Sequence, residues 1–237
     1  MINIDVELLS GNFYNMPKFL AKLTQRGHEI HCIGQIEELH EEMTHDEKPS
    51  DYFMTTPHTT LRRMNYITVA VNGLSTKCVS QLRTHAKRLT FVSTSTQYSD
   101  YSDNGAKNCV FPMRDFTDEK IVNKLMRTYD YILARYAELI ADGIDKDIAS
   151  YILPQGLRKS LIISGNLDDW QYVMQTRMCH RNSEETQHVM KLIYKKIKEV
   201  AGEQWVKGML PKCCTKEGCQ EGKMCCGRPF ELCELDI

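Results

Sequence analysis

Residues 83–98, RTHAKRLTFVSTSTQY, set a basic cluster against a hydroxyl cluster: Arg83, His85, Lys87 and Arg88 come first, then Thr90, Ser93, Thr94, Ser95 and Thr96. Grouped cations hold anions, and a hydroxyl that both donates and accepts can polarise a carbonyl or hold a phosphate oxygen. The plainer reading is a solvated basic turn, and with so many hydroxyls one serine will match many patterns by chance. Farther along, Arg177 ends an apolar segment. A guanidinium there can hydrogen-bond a carbonyl and support negative charge developing on a ligand. Its alternative is a surface arginine paired with a carboxylate, worth little. Asn166, after Gly165, offers an amide to a ligand or a cap to the helix that follows.

A third group is the six cysteines near the C-terminus: Cys213, Cys214, Cys219, Cys225, Cys226 and Cys233. Four thiolates, for which Cys213, Cys219, Cys225 and Cys233 are the candidates, suffice for tetrahedral zinc, and a metal could staple a tail too short to fold alone. Adjacent cysteines and uneven gaps fit no standard finger, so free thiols and disulfides stand beside zinc as readings.

The elements that position these groups follow from periodicity. INIDVELL alternates as a half-buried strand does, and KFLAKLTQRG reads as a helix closed by Gly27, with Pro17 in its first turn. Residues 36–62, charged and rich in histidine, read as irregular surface structure with loop or short helix. NYITVAVN, residues 65–72, is the strongest strand signal. From Thr117 to Gly143 a long helix recurs through Ile121, Leu125, Tyr129, Ile132, Tyr136 and Leu139, started by Thr117, Asp118 and Glu119. Asp145 caps a shorter helix ended by Pro154, and RKSLIIS is extended. A helix from Asn166 to Met178 buries Trp170, Val173 and Met174; another begins at Ser183 with Val189, Met190, Ile193, Ile197 and Val200 inward. The expected architecture is one α+β domain, residues 1–210, with a cysteine-rich tail, 211–237.

The 237 residues are 42% hydrophobic and carry 30 Lys plus Arg against 31 Asp plus Glu, so the chain buries a real core and lacks the field of a dedicated nucleic-acid binder. No apolar run reaches the roughly 18 to 20 residues of a membrane span. The start, MINIDVELLSGNF, lacks a basic segment followed by an apolar one, so a cytoplasmic protein with reduced thiols is expected.

HAKRLTFVSTSTQY, residues 85–98, resembles the RHRxxSxxxxSxRY hallmark of flavin-dependent thymidylate synthases. His85, Ala86 and Lys87 fall on the Arg-His-Arg positions, Thr90 and Ser95 on the serines, Gln97 on the arginine and Tyr98 on the tyrosine. Downstream, GIDKDIASYILP stands where that family has a form like GxxxExARxxLP, and Asn166 precedes Arg177 by the family's spacing. The order covers roughly residues 60–200, and CQEGKMCCG resembles the cysteine-containing tail of some members. The resemblance implies an α+β fold with a mixed or antiparallel sheet packed by long helices, and a homotetramer holding FAD and nucleotide at subunit interfaces. The implied reaction is methylation of dUMP to dTMP with methylenetetrahydrofolate and NADPH.

By the same resemblance Ser95 and Arg177 act at the pyrimidine. Ser93, Gln97, Tyr98 and Ser150 contact substrate, and His85, Lys87, Arg88 and Asn166 hold FAD. Two departures stand out: the family's phosphate-gripping arginines correspond to Gln97 and Ser150. Each lost charge-assisted bond is worth about 1.5 to 3 kcal/mol unless replaced, with Arg83, Arg88 and Arg158 as candidate replacements. Arg62 and Arg63 stand near the family's Glu-His pair, and a gap of one would put His85 on the hallmark histidine. The alternatives to dUMP methylation are a divergent relative acting on another pyrimidine nucleotide or nucleoside, and a non-catalytic homologue. A zinc-bearing, nucleic-acid-binding tail is disfavoured by the charge balance.

Overall fold

β2, Tyr66–Ser75, realises the strongest strand signal and runs three residues beyond it, alternating so that Ile67, Val69, Val71 and Leu74 are buried. It pairs antiparallel with β1, Asp5–Gly11, on one side and with β4, Arg158–Asn166, on the other; β4 in turn pairs antiparallel with β3, Thr90–Ser93. The order β1-β2-β4-β3 is wholly antiparallel. The structure is a computed structural model and describes residues 4–13, 15–44, 51–111, 119–215 and 218–236.

Helices pack on one face of this sheet. α7, Leu167–Arg177, leaves directly from β4, capped by the Asn166 side chain, which accepts from the Asp169 amide. Its Trp170 is fully buried and donates Nε1–H to the Ile67 carbonyl at 3.0 Å. α8, Glu184–Ala201, follows Ser183 and buries Val189, Met190, Ile193 and Ile197. Val200 is instead 55% exposed, although the neighbouring Ala201 packs against the main cluster before Gly202 ends the helix. α4, Thr76–Arg83, starts on a Ser75 cap; Ser75 also donates its amide and hydroxyl to Glu185 of α8, locking the two helices. The sheet's other face is more polar, with Thr68 against Ser164 at 2.8 Å and Ser160 donating to Asn72.

Two further sequence expectations change. α1, Met16–Gln25, ends two residues before Gly27, with Arg26 at its C-cap. Residues 36–62 are less irregular than their charge implies: α2, Ile33–Thr44, buries Leu39 and Met43 against Phe19 of α1, and α3, Asp51–Thr55, follows. The long helix is α5, Glu119–Ala141; Thr117 and Asp118 lie outside the described residues. It ends in a Schellman turn, Gly143 at φ 83° donating to Ile140 and Ile144 donating to Leu139. Only Leu133 and Tyr136 of α5 are buried, while Ile121, Met126 and Tyr131 lie exposed. α6, Lys146–Ala149, is capped by Asp145 as expected and runs into a single turn over 150–152.

Among its described residues the segment after Pro211 carries only short single-turn helices, yet it packs onto the core. Phe230 joins the main hydrophobic cluster. Glu234 accepts from His180 and Lys191 at 2.9 Å each and from the Glu231 amide at 3.0 Å. Burial opposes ionisation of Glu234, but those three donors hold its carboxyl below the ordinary value. Among the described residues no helix is long and apolar enough to cross a membrane.

Candidate active site

Arg177 ends α7 and its guanidinium is held by three neutral acceptors. Nε donates to His85 Nε2 at 2.7 Å, Nη1 to Asn182 Oδ1 at 2.6 Å and Nη2 to Thr84 Oγ1 at 2.7 Å. Asn182 is oriented for this by donating its own amide to the carbonyls of Thr176 and Cys179. The carboxylate-paired alternative is therefore not what the fold builds. A guanidinium has five N–H donors, so two stay available to a ligand. Burial, then the Arg177 and Arg88 charges, lower the His85 pKa, so the imidazole is neutral at pH 7 with Nε2 as acceptor and its proton on Nδ1.

The array continues along α7. His85 meets the Tyr172 ring edge-on at 6.1 Å, and the Arg88 guanidinium lies 3.9 Å over the same ring while donating to Asp169 at 2.9 Å. Asp169 also takes the Asn166 amide at 2.6 Å. Four residues singled out in the sequence, Arg177, His85, Arg88 and Asn166, thus share one ledge, and Lys87 sits exposed on the same turn. Both ends of the Asn166 amide are engaged with Asp169, which is capping chemistry. Arg177 and Tyr172 open onto a cavity of about 800 Å³ whose far wall is the tail.

Ser95 lies elsewhere. With Ser93, Arg83 and Lys159 it lines a separate cavity of about 300 Å³, and its Oγ accepts from the Gln97 amide at 3.1 Å. α4 is the wall between the two cavities: Gln81 faces the larger, while Thr76, Ser80 and Arg83 face the smaller. Within one chain Ser95 and Arg177 therefore do not meet. Tyr98 is 78% exposed, Gln97 is exposed, and Ser150 donates back to the Asp147 carbonyl at 2.7 Å. Of the candidate replacement arginines, Arg88 is engaged with Asp169, Arg158 lines a third cavity beside Asp130, and Arg83 alone faces Ser95. Arg62 is buried, bonded to Asp168 at 3.0 Å and to the Thr56 carbonyl at 2.7 Å, a brace at the start of α7.

The zinc quartet is not assembled. Cys213, Cys219 and Cys225 line the large cavity, but Cys233 donates to Glu231 on the short turn that docks the tail. Among the described residues no three His, Cys, Asp or Glu side chains are gathered as a metal would need. All ten cysteines are free thiols. Burial pushes Cys78 and Cys109 up to about 12, so neither is a nucleophile near neutral pH. Lys159, Thr84, Asn182 and Tyr172 were not singled out by sequence reasoning. For Lys159 a signal existed: it is a cation in the inward phase of an alternating strand.

The profile of thymidylate synthase complementing proteins, Thy1, matches residues 16–202. The chain belongs to the Thy1 family. A flavin-dependent thymidylate synthase of Pyrococcus abyssi is 23% identical over 164 residues, 66% of each chain. Two solved structures share the fold. The UMP/dUMP methylase PolB of Streptomyces cacaoi, bound with 5-Br dUMP, has TM-score 0.66 and 18% identity over 89% of this chain and 98% of that one. The flavin-dependent thymidylate synthase ThyX of Helicobacter pylori, complexed with FAD and dUMP, has TM-score 0.64 and 16% identity over 87% and 99%. Family, α+β fold and the methyltransferase class of the family thus agree with the reading of residues 85–98 and 143–177. The Thy1 match stops at residue 202, short of the cysteine-rich segment.

Proposed function

We propose that this chain methylates C5 of a uracil nucleotide, dUMP to dTMP, with FAD as cofactor, methylenetetrahydrofolate as carbon donor and NADPH as reductant. The observation that carries it is Arg177: a charged guanidinium fixed by three neutral acceptors, with two donors to spare, at the edge of a large cavity. Such a group is pre-set to hydrogen-bond a pyrimidine carbonyl and to stabilise the enolate-like charge that makes C5 nucleophilic, without reorganising during the reaction. FAD, when bound, would carry reducing equivalents from NADPH to the transferred methylene. The donor set suits a pyrophosphate-bearing cofactor: Lys87 is an exposed cation and Arg88 a half-exposed one on the same turn, next to neutral His85. In balance, the methylene carbon gives up its two bonds to folate nitrogens and joins C5. The C5 hydrogen leaves as a proton, a hydride equivalent from NADPH completes the methyl group, and the two folate nitrogens take up two protons, one of them matched by the proton lost from C5.

The separation of Ser95 from Arg177 favours a homotetramer in which subunits complete one another's sites. The exposed Ile121, Met126 and Tyr131 of α5 are consistent with that assembly. A second reading, in which UMP or another uracil nucleotide replaces dUMP, is favoured by the likeness to a UMP/dUMP methylase. The cytoplasm, where NADPH and reduced folates occur, is the expected compartment.

The test is tritium release. Purified protein with FAD, NADPH, methylenetetrahydrofolate and dUMP labelled at C5 should release tritium to water and form dTMP. Arg177→Ala should slow release by about 100-fold or more. Failure to release label from either dUMP or UMP would contradict the reading.

A further inference from the structure

Lys159 stands out on the helix-covered face of the sheet. β4 alternates strictly, and its inward residues are Lys159, Leu161, Ile163 and Gly165. The lysine is 5% exposed, yet among the described residues no carboxylate pairs with it. Its ammonium donates to the Thr94 carbonyl and the Tyr101 hydroxyl, each at 3.2 Å, and lies 5.1 Å from the Tyr101 ring centre. Two of three N–H donors are thereby used. A buried ammonium held only by neutral oxygens keeps a large part of its desolvation cost uncompensated, and the natural remedy is an anion supplied from outside.

The cavity that Lys159 lines has the chemistry to admit one. Its nine lining residues include Arg83, Ser93, Ser95, Ser80 and Thr76 and not one acidic side chain. Arg83 Nη2 donates to Ser93 Oγ at 2.8 Å, which leaves the serine proton and the guanidinium's other donors for a ligand. Ser95 Oγ accepts the Gln97 amide, so its proton is likewise available. The volume of about 300 Å³ suits a phosphate with part of a sugar; a whole nucleotide would extend out of it.

We propose that Lys159 and Arg83 form the receptor for the substrate's 5′-phosphate, with Ser93 and Ser95 as hydroxyl donors, in place of the arginines absent at Gln97 and Ser150. The proposal rests on the reading of this chain as a pyrimidine-nucleotide enzyme. It would let nucleotide binding survive the loss of two cations: two others reach one anion from different elements, the core face of β4 and the end of α4. It also makes the phosphate, rather than the sugar, the group that selects the substrate.

The experiment is calorimetric titration of the full chain, supplied with FAD, with dUMP and UMP and separately with deoxyuridine and uridine. The wild type should prefer monophosphates over nucleosides by about tenfold or more. Arg83→Gln, at an exposed position, should cut that preference several-fold, Lys159→Met should abolish most of it, and Lys159→Arg should retain part, all with nucleoside affinity unchanged. If Lys159→Met fails to fold, Arg83→Gln decides. Variants that keep the full preference would overturn the phosphate receptor and leave the pyrimidine reading standing. So would a wild type that binds nucleosides and monophosphates alike. A wild type that binds no uracil compound would overturn the functional reading and the receptor with it.

Discussion

Replacing His85 by leucine removes the acceptor of the Arg177 Nε–H, a 2.7 Å bond with a charged donor. Fully buried, such a bond contributes about 1.5 to 3 kcal/mol; with both groups half exposed, roughly 1 kcal/mol is expected, a Tm loss of about 2 to 4 °C for a chain of this length. His85→Gln offers an amide oxygen in nearly the same place and should recover most of that. The pH dependence is sharper. The folded-state pKa of His85 is lowered below the ordinary 6.5 by burial and by Arg177 and Arg88. The unfolded chain therefore binds the proton first as pH falls, and the stabilisation, complete above about 6.5, is lost progressively below it. Imidazolium could not accept from Arg177 and would repel it. Thermal unfolding of wild type and His85→Gln, compared at pH 8 and pH 5.5, cancels the carboxylates and His188, which titrate in both. Wild type should lose ground to His85→Gln on acidification. A difference that is flat, or that moves in wild type's favour at pH 5.5, would refute the neutral-acceptor assignment.

Asn166→Ala should cost about 0.5 to 2 kcal/mol in thermal unfolding, as loss of an N-cap does; if FAD affinity falls beyond that proportion, the amide contacts cofactor as well as capping α7. Gly143→Ala should cost about 1 kcal/mol by denaturant titration, because nothing lies near a new Cβ and the penalty is the φ of 83° alone. Phe230→Ala removes a ring from the edge of the core cluster, about 2 kcal/mol of docking, so limited proteolysis within residues 211–237 should accelerate about 30-fold while the body stays intact.

What was legible in the sequence divides along physical lines. β2 and β4 bury one face beneath the helices and α7 and α8 one face each against the sheet, and their periods of two and 3.6 survive in the residue order; Asn166 and Ser183 announce the helix starts. α2 was obscured because charged residues surround Ile36, Leu39 and Met43, whose spacing of three and four was nonetheless there. Val200 kept the helical period but is exposed in the last turn while Ala201 packs on the core, a tertiary fact no periodicity encodes. At the site, Arg177, His85 and Arg88 were visible by type and spacing. Their convergence on Tyr172 was not, since it depends on how α4 and α7 lie together. The cysteine quartet failed for the opposite reason: composition gathers the thiols in sequence, while docking through Phe230 and Glu234 sends Cys233 to a different turn from Cys219 and Cys225.

The most direct test of the central claim is optical. After FAD is added and excess removed, the purified protein should keep flavin, and titration with dUMP or UMP should shift the flavin bands. That shift should be lost in Arg177→Ala, because in the proposed reaction the guanidinium fixed by Thr84, His85 and Asn182 would hold the pyrimidine. Absence of retained flavin, or flavin bands blind to every uracil nucleotide in the wild type, would contradict the account.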